Sequence, residues 1–143
     1  MLLTTLMSKS VQTVKIDDNL ALIRDIFNAK SFHHLVVVEH KKVVGIISDR
    51  DYLKIISPRL GTPVEKSKDL AVLNVKAHQI MHRHVITLNE KASIAELIST
   101  FHLSKVSCIP IVDDNHYLTG IISWRDVIRA LFLKMEKDNK TQA

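Results

Sequence analysis

Two short stretches of the chain place a serine, an arginine and an aspartate at the same spacing. They are Ser48-Asp49-Arg50-Asp51, the first corner, and Ser123-Trp124-Arg125-Asp126, the second corner. Each follows an apolar run ending in Gly-Ile-Ile, a pattern that predicts a buried strand. Gly45 and Gly120 stand 75 residues apart (120 − 45), so the chain contains this strand and its polar end twice.

The Ser-x-x-Asp spacing is typical of a helix start. The serine hydroxyl accepts an unpaired N–H of the first turn, and the carboxylate accepts the N–H of the serine. A helix start also offers free N–H groups and a positive dipole, which bind phosphate, and the aspartate can turn to a ribose hydroxyl. A capping box alone is the simpler interpretation. Two copies, each with a glycine in the strand and an arginine before the aspartate, favour a ligand-binding corner.

The elements around the first corner follow the order β-α-β-β-α. We expect a short strand at 10–14, a helix from Asp17-Asp18-Asn19 to about Lys30-Ser31, strands at 35–38 and 43–48 joined by a polar turn at 40–42, and a helix at 49–56. The second half repeats this order, with Met81 in the place of Met7. Residues 7–56 and 81–131 should therefore superpose as one α/β unit.

The domain boundaries follow from this repeat and from composition. We expect a first repeat at 1–60, a connecting segment at 61–76, a second repeat at 77–134 and a polar tail at 135–143. The segment after Ser57 contains Pro58, Gly61 and Pro63, and its length indicates that part of it is helical or packs across the module. The tail is expected to fray from Lys137.

Composition limits the class of protein. The chain has 143 residues, of which 46% are apolar and 24% charged, as in soluble globular proteins. It has no apolar run of ~18 residues and no basic start before an apolar core, so we expect a cytoplasmic protein with no membrane span or signal peptide. One cysteine, Cys108, excludes an intrachain disulfide. The net charge of +5 weakly favours anionic ligands.

Signals for catalysis or metal binding are weak. His78 and His82 have i, i+4 spacing near His84, but no acidic residue stands between them, so a structural zinc site is disfavoured. Neither corner has a Gly-x-Ser-x-Gly elbow, and a glycine-rich phosphate loop is missing. We therefore expect no enzyme activity and no catalytic cofactor.

The sequence resembles the tandem CBS-domain pair, or Bateman module, from about Met7 to Leu133. The resemblance depends on the element order, on His-Leu-Val-Val-Val-Glu and Ile-Pro-Ile-Val-Asp before Gly-Ile-Ile-Ser, and on the two Ser-x-Arg-Asp corners. It implies two β-α-β-β-α repeats packed about a pseudo-two-fold axis, with two clefts between them. Such clefts often hold adenine nucleotides or related adenosyl ligands that regulate a partner protein.

The resemblance also implies roles for individual residues. The corner aspartate holds the ribose hydroxyls, and the hydroxyl three residues earlier approaches ribose or phosphate. Residues just before the middle strand line the phosphate side, with an arginine beside each aspartate, and the base lies on apolar backbone from both repeats. The predicted ligand-binding residues are Ser48, Arg50, Asp51, His33, His34, Ile46 and Ile86 in one cleft, and Ser123, Arg125, Asp126, Ser107, Cys108, Ile121 and Gln12 in the other.

Two departures from the family pattern leave alternatives open. Val36 stands where the second repeat keeps Pro110, and Trp124 stands where the first repeat has Asp49. Trp124 either walls a cleft or packs outside it. His33 and His34, with Arg50, favour the first cleft for the more phosphorylated ligand, unless the two histidines form only a surface turn.

Two functions of different class are compatible with these features. The first is a stand-alone regulatory module that senses AMP, ADP, ATP or S-adenosylmethionine and controls an unidentified protein in trans. It is expected to form a homodimer through apolar helix positions such as Ile26 and Ile98. The second is a basic nucleic-acid-binding or scaffolding protein with vestigial clefts, which would show steep salt dependence. The first is favoured.

Overall fold

A computed structural model of the chain describes residues 1–29 and 32–142, and these form two compact units. The first unit is Gln12–Val85. The second unit combines Met1–Val11 with Ile86–Ala143. Each unit contains one three-stranded sheet, and the fold is the mixed α/β arrangement of two β-α-β-β-α repeats that the sequence predicts.

The sheet of the first unit has the strand order β1-β2-β3. β1 is parallel to β2, and β2 is antiparallel to β3. The predicted end of the first helix near Lys30-Ser31 lies outside the described residues. The elements are β1 Thr13–Lys15, α2 Leu20–Ala29, β2 His34–Glu39, β3 Lys42–Ser48, α3 Asp49–Ile55, α4 Ser67–Ala71, a 3₁₀ turn Val72–Asn74 and α5 Ala77–Ile80.

The sheet of the second unit repeats this topology as β4-β5-β6. Its elements are α1 Leu3–Leu6, β4 Leu88–Asn89, α6 Ile94–Ser104, β5 Cys108–Val112, β6 Leu118–Ser123 and α7 Trp124–Gln142. The prediction of a frayed tail from Lys137 is wrong, because α7 continues to Gln142. That stretch is polar but contains no glycine or proline, so nothing in it ends a helix.

Each unit contains the short helix with which the other unit's repeat begins. α1, at the start of the first repeat, belongs to the second unit, and α5, at the start of the second repeat, belongs to the first unit. Leu3 of α1 is buried in the second core, while Ala77 and Met81 are buried in the first. Neither helix is predicted from the sequence, because each has only four residues and shows no helical period.

The two cores consist of the helix and strand positions that the apolar periodicity indicated. In the first unit Leu20 and Ile23 of α2 pack with the inward residues of β2 and β3, which are Leu35, Val37 and Ile47. In the second unit Leu97 of α6 packs in the same way with Ile109, Ile111 and Ile122. All nine side chains are fully buried, and each burial contributes about 1.5–3 kcal/mol.

The Gly-Ile-Ile runs have a structural reason for their glycine. A Cβ built on Gly45 would lie 2.7 Å from Cγ and 3.0 Å from Cβ of Met81, and one on Gly120 would lie 2.9 Å from Cγ of Met7. The extra residue of a β-bulge, Val44 or Thr119, directly precedes each glycine. Each strand therefore has its bulge beside the glycine that a methionine side chain crosses. The methionine lies so close that the glycine position has no space for a methyl group.

We predict that Gly45→Ala destabilises the fold through Met81. Overpacking of this kind costs about 1–3 kcal/mol, which lowers Tm by roughly 2–12 °C for a chain of this size. Thermal melts of the wild type, Gly45→Ala, Met81→Ala and the double variant measure the coupling. The alanine at position 45 should cost clearly less when Met81 is absent. An equal cost in both backgrounds would show that the close contact is not the reason for the glycine.

Candidate ligand-binding corners

The first corner is a complete capping box at the start of α3. The Ser48 hydroxyl accepts the Asp51 N–H at 3.0 Å, and Asp51 Oδ2 accepts the Ser48 N–H at 2.9 Å. The N–H of Asp49 donates to the carbonyl of His33 at 2.8 Å. These bonds fix the serine and the aspartate at the point where β3 ends, so the predicted pair is brought together as expected.

A histidine distant in sequence completes the first corner. His82 Nε2 lies 3.0 Å from Asp51 Oδ1. Its backbone is held on β3 by two bonds, Ile46 N–H to His82 carbonyl at 3.0 Å and His82 N–H to Ile46 carbonyl at 2.9 Å. Burial by itself raises the pKa of Asp51, but the Ser48 N–H and the His82 imidazole outweigh it and lower the pKa below its ordinary value. Asp51 therefore stays an anion with both oxygens occupied.

The two histidines where β2 begins, His33 and His34, have different environments. His33 Nδ1 lies 2.8 Å from Asp49 Oδ2, and the ring is 70% exposed. His34 is half-buried at the start of β2, and this burial lowers its pKa despite the nearby carboxylates of Asp49 and Asp51. Both rings thus lie at the first corner, and their predicted place beside a phosphate stays a prediction.

The second corner has the same capping box at the start of α7. Asp126 Oδ2 accepts the Ser123 N–H at 2.8 Å and the Ser123 hydroxyl at 3.1 Å, and the Ser123 oxygen accepts the Asp126 N–H at 3.3 Å. The Trp124 N–H donates to the carbonyl of Ser107 at 3.2 Å. This geometry repeats the first corner, and Trp124 is 54% exposed.

The residue opposite the strand differs between the corners. Ser8 pairs with Ile121 through bonds of 2.9 and 3.0 Å, as His82 pairs with Ile46. Asp51 therefore contacts the imidazole of His82, whereas the residue at the equivalent position beside Asp126 is Ser8. Asp126 has Arg129 Nη1 at 3.9 Å.

The remaining predicted residues differ in exposure, and Gln12 precedes β1 instead of lying in the strand predicted at 10–14. Arg50, Arg125, Ser107 and Ile86 are exposed, and Gln12 is half-buried. Cys108 is buried, which raises the pKa of its thiol to about 12 and keeps it neutral. Ile86 belongs to the second unit and Gln12 to the first, so the pairings of Ile86 with Ile46 and of Gln12 with Ile121 stay predictions.

His82 is the residue of the corner that sequence reasoning missed. Its spacing from His78 indicated a possible metal ligand, but the two rings contact different carboxylates, Asp51 for His82 and Asp17 for His78 at 3.9 Å. The signal was present in the repeat itself. Because Met81 matches Met7, His82 matches Ser8, and Ser8 lies beside the second corner.

Three further observations concern other kinds of site. A cavity of about 500 Å³ in the second unit is lined mainly by apolar residues of α1, α6 and α7 and contains none of the corner residues. Within residues 1–29 and 32–142, no three His, Cys, Asp or Glu side chains group as metal ligands. No helix in the described part of the chain is long and apolar enough to cross a bilayer.

The paired corners and the duplicated fold agree with a known family. The sequence model of the CBS domain matches residues 3–58 and 77–133. The chain belongs to the CBS domain family and contains two copies of its domain.

Individual relatives support the same assignment. MJ1225 of Methanocaldococcus jannaschii is 37% identical over 117 residues, 78% of this chain and 42% of that protein. Its crystal structure, described as a candidate archaeal homologue of g-AMPK, matches with TM-score 0.79 at 33% identity over 94% of this chain and 51% of that one. This chain therefore spans about half the length of that relative or less.

Another solved structure covers nearly the same length. The CBS domain pair of MJ0100, in complex with 5′-methylthioadenosine and S-adenosyl-L-methionine, is 26% identical with TM-score 0.74, over 94% of this chain and 98% of that one. A CBS domain-containing protein of Dictyostelium discoideum is 28% identical over 137 residues, which are 94% of each chain.

Proposed function

We propose that the chain is a regulatory module that binds an adenosyl compound or adenine nucleotide at its two corners and thereby controls a separate protein. The observation that carries this proposal is the duplicated capping box, in which the backbone holds an aspartate carboxylate at the end of a strand. Asp51 and Asp126 accept the ribose hydroxyls, and the hydroxyls of Ser48 and Ser123 approach ribose or phosphate. The complex of the MJ0100 domain pair with two adenosyl compounds supports this class of ligand.

Charge at the corners bears on which ligand each one takes. At the first corner, Asp49 and Asp51 stand beside one arginine, Arg50, and three imidazoles. At the second corner, Asp126 stands beside Arg125 and Arg129. With neutral imidazoles, the second corner is the more favourable one for a phosphate. Imidazoles can gain a proton, so protonation of the histidines would add positive charge at the first corner. The preference of the first corner for the more phosphorylated ligand is therefore proposed for acidic conditions.

Ligand binding should raise the melting temperature. A ligand at a hundredfold excess over its Kd stabilises the folded state by about 2.7 kcal/mol, or roughly 5–10 °C here. We expect this shift from at least one of AMP, ADP, ATP, S-adenosylmethionine and 5′-methylthioadenosine. Asp51→Ala and Asp126→Ala should each remove one site, and the double variant should remove the shift.

Controls separate binding from stability. Each aspartate is part of a capping box, so its loss costs about 1 kcal/mol without ligand, and shifts are compared with the melt of the same variant alone. Asp138→Ala, at the exposed end of α7, should keep the full shift. If no adenosyl compound at millimolar concentration moves the wild-type melt, the scaffolding function replaces the sensing one.

We also propose that the module forms a homodimer through α7. Its exposed apolar residues recur at i, i+4, i+7, i+8 and i+11 and form one stripe: Trp124, Ile128, Leu131, Phe132 and Met135, each about half exposed or more. Ile98 of α6, one of the two positions expected from the sequence, is 46% exposed. Ile26, the other, instead packs on the first core and is not available as the sequence analysis expected.

Light scattering at micromolar concentration tests the dimer. The wild type should have twice the chain mass, and Ile128→Glu with Phe132→Glu should be a monomer, because a charge in the centre of an apolar interface is left unpaired. Leu53→Glu, which changes an equally exposed leucine of α3, is the matched control and should remain dimeric. A monomeric wild type would contradict the proposal.

A further inference from the structure

The two corners differ in one contact. Each aspartate uses Oδ2 to accept the N–H of its serine, at 2.9 Å in the first corner and 2.8 Å in the second. In the first corner His82 Nε2 lies 3.0 Å from the other oxygen, Oδ1 of Asp51. In the second corner the residue at the equivalent place on the strand is Ser8, with a much shorter side chain.

We propose that His82 is a gating residue that sets the affinity and pH response of the first corner by competing with a ribose for Asp51. This inference rests on the proposed function, because it takes Asp51 as the ribose acceptor. Oδ2 is committed to the capping box, so Oδ1 is the oxygen with which a ribose hydroxyl makes its strongest bond. A ligand therefore binds this corner at the expense of the His82–Asp51 contact.

The surroundings of His82 allow the ring to leave without unfolding. Two backbone bonds to Ile46 hold its main chain on β3, while the side chain is 66% exposed. Movement of the ring therefore requires only rotation of the side chain into water, and the capping box is kept. The contact lowers the affinity of the site without closing it.

Protonation strengthens the competitor. An imidazolium adds the attraction of opposite charges to its hydrogen bond with a carboxylate, which a neutral ring does not, so ribose binding should weaken at a pH low enough to protonate imidazoles. The neighbouring charged and titratable groups are Asp49, Arg50 and Asp51 on α3, His33 and His34 where β2 begins, and Arg83 and His84 beside His82. His33 is held by Asp49, so His82 is the histidine that acts directly on Asp51.

The test uses 5′-methylthioadenosine, which has no phosphate for the other histidines to bind. Asp126→Ala protein isolates the first corner, and calorimetry gives its Kd at about pH 5.5 and pH 8, either side of the ordinary histidine pKa of about 6.5. Binding should be about fivefold weaker at the lower pH, equivalent to about 1 kcal/mol. Adding His82→Ser, which copies the second corner, should tighten binding at pH 5.5 and remove most of the pH dependence.

The reciprocal change tests the second corner. In Asp51→Ala protein, binding should depend little on pH, and Ser8→His should weaken it at pH 5.5. Tighter binding without His82 supports the gate. Weaker binding without it would make His82 a ligand contact, and an unchanged pH dependence would assign the effect to another group, so either result overturns the inference. If neither corner binds in any variant, the proposed function itself fails.

Discussion

One strand residue in each unit must have no side chain, and the corner geometry depends on it. Met81 crosses β3 at Gly45, and Met7 crosses β6 at Gly120. The residue after each methionine then pairs with the strand residue after each glycine, His82 with Ile46 and Ser8 with Ile121. Because these pairs lie beside the capping boxes, the close crossing places residues 82 and 8 next to the two aspartates. A side chain at either glycine would press on the methionine that crosses the strand there.

Local patterns in the sequence predicted the parts of the fold that local interactions determine. The runs Leu35-Val36-Val37-Val38 and Gly45-Ile46-Ile47 are apolar and bounded by polar turns, and both are strands. The boundary between β3 and α3 was also predictable, because Ser48 and Asp51 satisfy each other and the backbone within four residues. Both capping boxes were therefore found before any tertiary contact was known.

Features that depend on distant residues could not be found in this way. α1 and α5 are too short to show a helical period, and their stability comes from burial of residues such as Leu3 and Ala77. Their exchange between units is a property of tertiary packing. The contact of His82 with Asp51 joins residues 31 apart, and only the repeat spacing indicated where His82 would lie. The polar composition of 137–143 predicted a frayed tail, whereas α7 continues to Gln142 because no glycine or proline ends the helix before it.

The central claim, that the duplicated Ser-x-Arg-Asp corners bind an adenosyl ligand through their aspartates, is tested most directly by a crystal structure with 5′-methylthioadenosine at about pH 8. At this higher pH the first corner is expected to bind the ribose more tightly than at about pH 5.5. The account predicts ribose hydroxyls within about 2.5–3.0 Å of the Asp51 and Asp126 carboxylates, with the His82 ring turned away from Asp51. A ligand bound elsewhere, with the His82–Asp51 contact intact and both aspartates touching only their capping partners, would contradict it.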